Sequence, residues 1–312
     1  MSRLAAITGA SGFLGRRLVV ALVERGFAVR ALVRRPVDPL AWDDAPVEAL
    51  IGDLADAGAL ARLAQGAEVV VHVAGAVKAV SEEAFMSVNA EGARAVAEAA
   101  GRAGARIVLV SSLSAREPHL SPYAASKRAG ETAAREVLGE RASVVRPPAI
   151  YGPGDAATLG LFRAAATSPV LPIPDSPGAR LALVFVEDAA QAIADLALAP
   201  AGRGPFTTGG ARPSGYSWDE IAGALASAAG RHPALVRIPP GALLGAGGIA
   251  EWVQRLTGRA SMFTVGKARE MLHPDWSCDP ADEPPGRRPE PINLAEGFSR
   301  SLAWYRQRAW KA

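Results

Sequence analysis

Short runs of apolar, often β-branched residues punctuate the first half of the chain, and longer stretches with apolar positions three and four apart lie between them. The short runs Leu4–Thr8, Ala28–Val33, Val47–Ile51, Glu68–Val73, Arg106–Val110 and Ser143–Val145 read as strands. Phe13–Arg25, Ala57–Ala64, Glu82–Ala103 and Ser121–Leu138 carry the helical spacing, each long enough to cross over between parallel strands. This alternation predicts an α/β fold with a doubly wound parallel sheet. After Pro147 the pattern loosens. Pro and Gly interrupt Tyr151–Gly178, and short strands and helices follow, which predicts a smaller C-terminal substrate lobe over the sheet. Residues 1–150 are expected to form the core. Residues 151–312 are expected to form mainly the lobe, with a segment at about 180–200 returning to the core. Pro280–Pro291 reads as an exposed Pro-rich loop before a last helix at Asn293–Arg308, and no internal repeat is visible.

Composition narrows the class. With 312 residues, 49% apolar and 21% charged, the chain can bury a substantial core and is not mainly disordered. Cys278 is the one cysteine, so no disulfide forms within the chain and dithiol redox chemistry is excluded; a reducing compartment is expected. The 34 basic and 31 acidic residues give +3 without a basic block, so no nucleic-acid footprint is expected. Met1–Gly12 has no long apolar run, and the reading is a cytoplasmic protein with no signal peptide and no membrane span. His72, His119, His232 and His273 are scattered without ligand spacing, and no metal is expected. No Gly-x-Ser-x-Gly elbow supports nucleophilic hydrolysis, and Cys278 reads as a bystander. Trp304, Tyr305 and Trp310 fit a packed amphipathic helix better than a membrane-facing one.

Gly9-Ala10-Ser11-Gly12-Phe13-Leu14-Gly15 follows the first strand and opens a helix, the context in which Gly-x-x-Gly-x-x-Gly binds a dinucleotide. Gly9 permits the turn, Gly12 lets a pyrophosphate approach the backbone, and Gly15 allows close helix packing. Thr8 to Gly15 resembles the nucleotide loop of the extended short-chain dehydrogenase/reductase family, the NAD-dependent epimerase/dehydratase-like proteins with a Rossmann-type sheet. Four further motifs agree: Gly52-Asp53-Leu54, His72-Val73-Ala74-Gly75, Asn89-Ala90-Glu91-Gly92, and Tyr123-Ala124-Ala125-Ser126-Lys127 followed by Arg146-Pro147-Pro148 to Tyr151-Gly152-Pro153-Gly154. The resemblance covers roughly residues 3 to 195 and makes residues 1–150 an NAD(P)-binding core. It implies cofactor contacts from Gly9, Ser11, Gly12, Phe13, Leu14, Gly15, Asp53, Leu54, Val73, Ala74, Gly75, Pro147 and Pro148, and from Tyr123 and Lys127.

Tyr123 and Lys127 are four apart on a helical pattern and share one face. A free phenol titrates near pH 10, and a neighbouring ammonium with an oxidised nicotinamide is expected to favour phenolate, making Tyr123 the general acid/base and Lys127 its partner and ribose anchor. Ser111-Ser112 ends the fifth strand, and Ser112 is expected to hold the substrate oxygen, with Ser114 as fallback. Asn89 reads equally well as a tether behind Lys127 and as a cap on a local bend.

An NADP-dependent oxidoreductase interconverting a carbonyl and a secondary alcohol is the expected function. Leu113-Ser114-Ala115 lacks the acids a dehydratase of this family carries there. A nucleotide-sugar epimerase is the alternative; Asp155–Ala166 offers only Arg163 to a diphosphate, and the apolar Val170–Pro174 and Leu181–Val186 suit a less polar substrate. A non-catalytic nucleotide-binding assembly subunit is the third reading, and a homodimer is left open. NADP is preferred over NAD because Val33-Arg34-Arg35-Pro36 ends the second strand without the acid that binds a free ribose, and Arg34 and Arg35 suit a 2′-phosphate.

Overall fold

The computed structural model describes residues 3–200, 202, 204–286 and 290–310. Residues 1–2 of the N-terminal segment and 287–289 of the Pro-rich stretch lie outside the described residues. The core elements are β1 (Arg3–Thr8), α1 (Phe13–Glu24), β2 (Phe27–Val33), β3 (Val47–Ile51), α2 (Ala57–Ala64), β4 (Val69–His72), α3 (Glu82–Met86), α4 (Gly92–Arg102), β5 (Arg106–Val110), α5 (Pro122–Leu138) and β6 (Ala142–Arg146). They are followed by β7 (Ala149–Tyr151), α6 (Leu159–Thr167), β8 (Val170–Pro174), β9 (Arg180–Leu181), β10 (Leu183–Phe185), α7 (Val186–Leu198) and β11 (Phe206–Thr207). The chain then runs through α8 (Trp218–Ala229), β12 (Ala234–Ile238), α9 (Pro240–Thr257), α10 (Val265–Leu272), β13 (Asp275–Trp276) and α11 (Leu294–Gln307).

Seven strands form one parallel sheet in the order β11-β6-β5-β4-β1-β2-β3. The order reverses between β1 and β4, so their carboxyl ends splay around a crevice, the place where open α/β sheets bind ligands. One face is covered by α1 and α7, through Leu14, Leu18 and Leu22 against Ala190, Ile193 and Ala197. The half-buried Arg25 clamps these two helices, donating to Asp195 and Gln191 at 2.6 Å each. The other face buries Leu60, Leu63, Val96, Ala100, Ala134 and Leu138 from α2, α4 and α5. Segments beyond residue 185 thus supply both a covering helix, α7, and a seventh strand, β11. A separate core under the lobe is aromatic, with Phe162, Phe185, Phe298 and Tyr305 packed on Leu171, Ile221 and Leu225. Three two-stranded parallel pairs, β7 with β10, β8 with β12 and β9 with β13, stitch the lobe together.

Two expectations change. The helical stretch Glu82–Ala103 is not continuous, because Ser87–Glu91 widens into a π-helical turn between α3 and α4. The cause is close packing: a Cβ on Gly130 of α5 would lie 2.4 Å from the Asn89 carbonyl, and the Asn89 side chain turns away to bond a loop. Tyr151–Gly178 is more regular than its Pro and Gly suggested, since it holds α6 and β8. There Pro172 and Pro174 sit in a pair with one neighbouring strand, where a missing N–H breaks little.

Candidate active site

Backbone, not side chains, shapes the glycine loop. Gly9 has φ +75°, and a Cβ there would lie 2.6 Å from the Ala74 nitrogen at the end of β4. A Cβ on Gly15 would lie 2.0 Å from the Gly9 carbonyl oxygen, so α1 can start this close to the loop only with glycine at both places. Gly12 is the N-cap of α1, has no side-chain cap, and is followed by a first turn with no acidic residue. The first N–H groups of α1 therefore face the crevice unpaired by any cap, which is the donor set a pyrophosphate requires. Trp42 backs the loop by donating its indole N–H to the Ala10 carbonyl at 3.0 Å.

A cavity of about 1810 Å³ runs from this loop across the sheet edge into the lobe. It is lined by the predicted nucleotide set apart from Arg35, namely Gly9, Ser11, Gly12, Phe13, Leu14, Gly15, Arg34, Asp53, Leu54, Val73, Ala74, Gly75, Pro147 and Pro148, together with Ser112, Tyr123 and Lys127. Arg35 lies apart, with Ser11 and Arg34 around a smaller recess of about 350 Å³. Arg34 and Arg35 are exposed and make no ion pair among the described residues. Asp53 accepts from the Ala55 and Asp56 N–H groups at 2.9 and 3.1 Å, which holds its own turn.

Ser121 caps α5, accepting from the Ala124 N–H at 3.0 Å, and Pro122 opens the helix. This start puts Tyr123 in the first turn and Lys127 one turn on. The Tyr123 hydroxyl meets Ser112, and its ring lies edge-on to Phe85 with centroids 6.0 Å apart. Lys127 Nζ donates to the Val110 carbonyl at 2.8 Å. Ser111 turns the other way, donating to the buried Glu131 at 2.5 Å, while Arg146 grips the same carboxylate at 2.8 and 2.6 Å. The alternation of an extended segment thus gives Ser111 to the core and Ser112 to the cavity.

The acidity of the phenol in the protein alone is set chiefly by its burial. Burial pushes Tyr123 up to about 12, the Ser112 hydrogen bond pulls the other way, and the Glu270 carboxylate adds a smaller upward push. Lys127 is lowered to about 8 by burial, with Glu131 opposing. Desolvation dominates here, so in the protein alone the Tyr123 phenol keeps its proton at neutral pH. His72 is buried and lowered to about 3 by burial and by Lys127, and its Nδ1 shares a 2.7 Å hydrogen bond with Thr8. Asn89 accepts from the Ala76 N–H at 2.8 Å and donates to the Ala76 carbonyl and to Ser126 at 3.0 and 2.9 Å, tethering the loop after β4 to α5.

The lobe contributes what the motifs could not indicate. Glu270 of α10 is buried, accepts from Ser121 at 2.5 Å, meets Lys267 at 3.2 Å and lines the cavity near Tyr123. Leu161, Phe162, Leu181, Leu183, Ile221 and Phe298 make the far wall apolar. Arg163 is exposed and does not line the cavity. Ser114 lines the cavity and uses its backbone N–H toward Ser112 at 3.2 Å. Cys278 is buried, with its thiol pushed up to about 11, and Tyr305 is buried with its hydroxyl 2.5 Å from the Asp155 carbonyl. Among the described residues no three His, Cys, Asp or Glu side chains are grouped to hold a metal ion.

Residues 5–205 match the model of the NAD dependent epimerase/dehydratase family. Over 306 residues the chain is 51% identical to a protein of Caulobacter vibrioides named ceramide reductase, covering 98% of this chain and 95% of that protein. Among solved structures, gox2253 superposes with a TM-score of 0.78 at 23% identity, covering 99% of both chains. MoeE5 in complex with UDP-glucuronic acid and NAD superposes with a TM-score of 0.69 at 23% identity, covering 98% of this chain and 99% of that one.

Proposed function

The chain belongs to the NAD dependent epimerase/dehydratase family, and from that premise we propose that this NAD(P)-dependent oxidoreductase uses NADPH to reduce a carbonyl on a ceramide-like lipid to a secondary alcohol. The observation that carries this reading is the junction of Ser112, Tyr123 and Lys127 with an apolar wall in one continuous cavity. About 1810 Å³ exceeds the roughly 300–1,000 Å³ of an ordinary ligand site, and leaves room for a substrate with long chains beside a dinucleotide.

The glycine loop fits a nicotinamide dinucleotide, through glycines whose Cβ atoms would fill the cradle and a helix start without cap or carboxylate. When bound, that cofactor supplies the hydride. The chain supplies the rest. Ser112 donates a hydrogen bond to the carbonyl oxygen and Tyr123 gives it the proton as the carbon is reduced. A phenol held near 12 is protonated at pH 7, which suits the reductive direction. Lys127 stands where its charge stabilises the phenolate left behind. Arg34 and Arg35 take a 2′-phosphate, and nothing acidic at the end of β2 competes for it.

An epimerase would hold a sugar diphosphate with basic groups in the lobe; Arg163 stands outside the cavity, Lys267 is paired with Glu270 at 3.2 Å, and the exposed Arg255 of α9 is the basic group left at its edge. The test is NADPH consumption with a long-chain keto amide in mixed micelles, run beside UDP-sugars. Turnover of the lipid ketone that disappears in Tyr123→Phe is the expected result. Turnover of UDP-sugars alone would transfer the site to the epimerase reading, and cofactor binding with neither substrate turned over would leave the assembly-subunit reading.

A further inference from the structure

Helix α9 is folded inside out. It buries Leu243, Gly247 and the polar Gln254, while Ile249, Trp252 and Leu256 are 67%, 61% and 66% exposed. Together with Val253 these side chains recur at i, i+3, i+4 and i+7, so they form one stripe along the helix. A surface helix ordinarily turns that stripe inward. Gln254 explains how the stripe is set. Its amide donates to the Val80 carbonyl at 3.1 Å and accepts from the Ser261 N–H at 2.8 Å, binding α9 to two neighbouring loops. Those loops also expose apolar side chains, Val77 and Val80 on one and Met262 on the other. Seven of the thirteen large apolar side chains exposed among the described residues thus lie on three segments clasped by one glutamine. Scattered single exposures need no explanation, but a contiguous patch marks a surface that something covers.

The loop part of this surface rims the cavity. Val77, Val80 and Met262 line it with Gln254 and Arg255, while Ile249, Trp252, Val253 and Leu256 of the stripe lie outside it, so a surface that covers the stripe and its clasped loops also meets the cavity's edge. Lys78 and Arg255 are exposed at the same rim, Arg259 is exposed just past the end of α9, and none forms an ion pair among the described residues. The carboxylates nearest in sequence are Glu82, in the first turn of α3, and Glu251 of α9, which is engaged in accepting from the Val265 N–H at 2.9 Å. We propose that α9 and its two clasped loops form a membrane-docking face that seats the cavity mouth on an anionic bilayer surface. Apolar side chains flanked by cations match the acyl boundary and the anionic headgroups above it. A second copy seated on the same face would gather two sets of these cations into one interface, where an anionic surface would neutralise them. Among the described residues no helix is long and apolar enough to cross a membrane, so α9 lies in the interface plane. The inference rests on the lipid-ketone reading, since a substrate with long chains stays in a bilayer and must pass from it into the site.

The experiment is flotation of the full chain with vesicles of phosphatidylcholine alone and of phosphatidylcholine with one third phosphatidylglycerol. Wild type is expected to float with the anionic vesicles and far less with the neutral ones. Ile249→Glu/Leu256→Glu is expected to lower that partition roughly a hundredfold, with unchanged NADPH affinity and unchanged reduction of a short, water-soluble ketone. Trp252→Ser provides a second variant with a smaller loss, should the double variant not fold. Equal flotation of wild type and variants, or none by wild type, overturns the proposal. So does a wild-type dimer in sedimentation equilibrium that the double variant converts to monomer, because a second copy then owns the face. Flotation without turnover of any lipid ketone would remove the functional reading and leave the docking face; turnover in micelles without flotation would do the reverse.

Discussion

At the carboxyl ends of β1 and β4 the cavity is walled by main chain: Gly9 against Ala74, Gly15 against the Gly9 carbonyl, and the uncapped start of α1. At the lobe end it is walled by side chains from α6, β9, β10, α8 and α11, mostly large and apolar. The first wall is rigid because a Cβ added at Gly9 or Gly15 would lie within 3 Å of backbone atoms, which leaves no freedom for replacement. The second is a packing surface, in which apolar side chains of similar volume can be exchanged with little loss. Cofactor chemistry can therefore stay constant in a fold whose substrates differ, and Tyr123 stands at the border, with Ser112 on one side and Glu270 on the other.

The largest expected effect tests that border. Tyr123→Phe should lower kcat roughly a thousandfold, about 4 kcal/mol, while NADPH affinity in calorimetry stays within a few fold. Retained turnover would place proton transfer elsewhere. The rigidity of the backbone wall comes next. Gly15→Ala should destabilise the fold by about 3 kcal/mol in urea unfolding, because its Cβ meets the Gly9 oxygen at 2.0 Å. Gly12→Val, whose Cβ would meet only the same oxygen at 3.2 Å, should instead lose cofactor affinity with a small change in stability. Similar behaviour of the two variants would break the distinction between packing and binding glycines.

His72 gives the core half a pH signature. Its native pKa of about 3 lies below the unfolded value near 6.5, so between these values the unfolded chain binds the extra proton. The stabilisation is complete above pH 6.5 and falls on acidification by up to roughly 1.4 kcal/mol per pH unit. Urea midpoints at pH 6.5 and 4.5 should therefore converge in His72→Gln, which does not titrate. Arg34→Ala should weaken NADPH binding by about 1.5–3 kcal/mol and leave NADH nearly untouched; equal loss for both cofactors would remove the 2′-phosphate role. The smallest expected effect belongs to the lobe. Arg163→Ala should change turnover by less than about twofold, since a solvated side chain outside the cavity contributes little. A large fall would favour a diphosphate-bearing substrate.

β3, α2 and β5 begin and end where the apolar pattern says they do, because each lies in one continuous run bounded by polar or turn residues. The loop glycines, the Tyr123–Lys127 spacing and the Ser111–Ser112 pair were legible for the same reason: one turn of helix or one step of strand relates their members. The π turn at Asn89 was not, since it answers to Gly130, some forty residues away, and to a loop that needed tethering.

By itself the sequence determined the alternation of strand and helix, the backbone cradle and which face of α5 carries the phenol, all of them set by steric rules acting over a few residues. Tertiary structure alone decided that the phenol is held near 12, because burial in the folded site dominates and the Glu270 carboxylate adds to it from a helix about 150 residues distant. It likewise turned the apolar stripe of α9 outward. That orientation follows from one buried glutamine satisfying two loops, a balance of hydrogen bonds that no local periodicity contains.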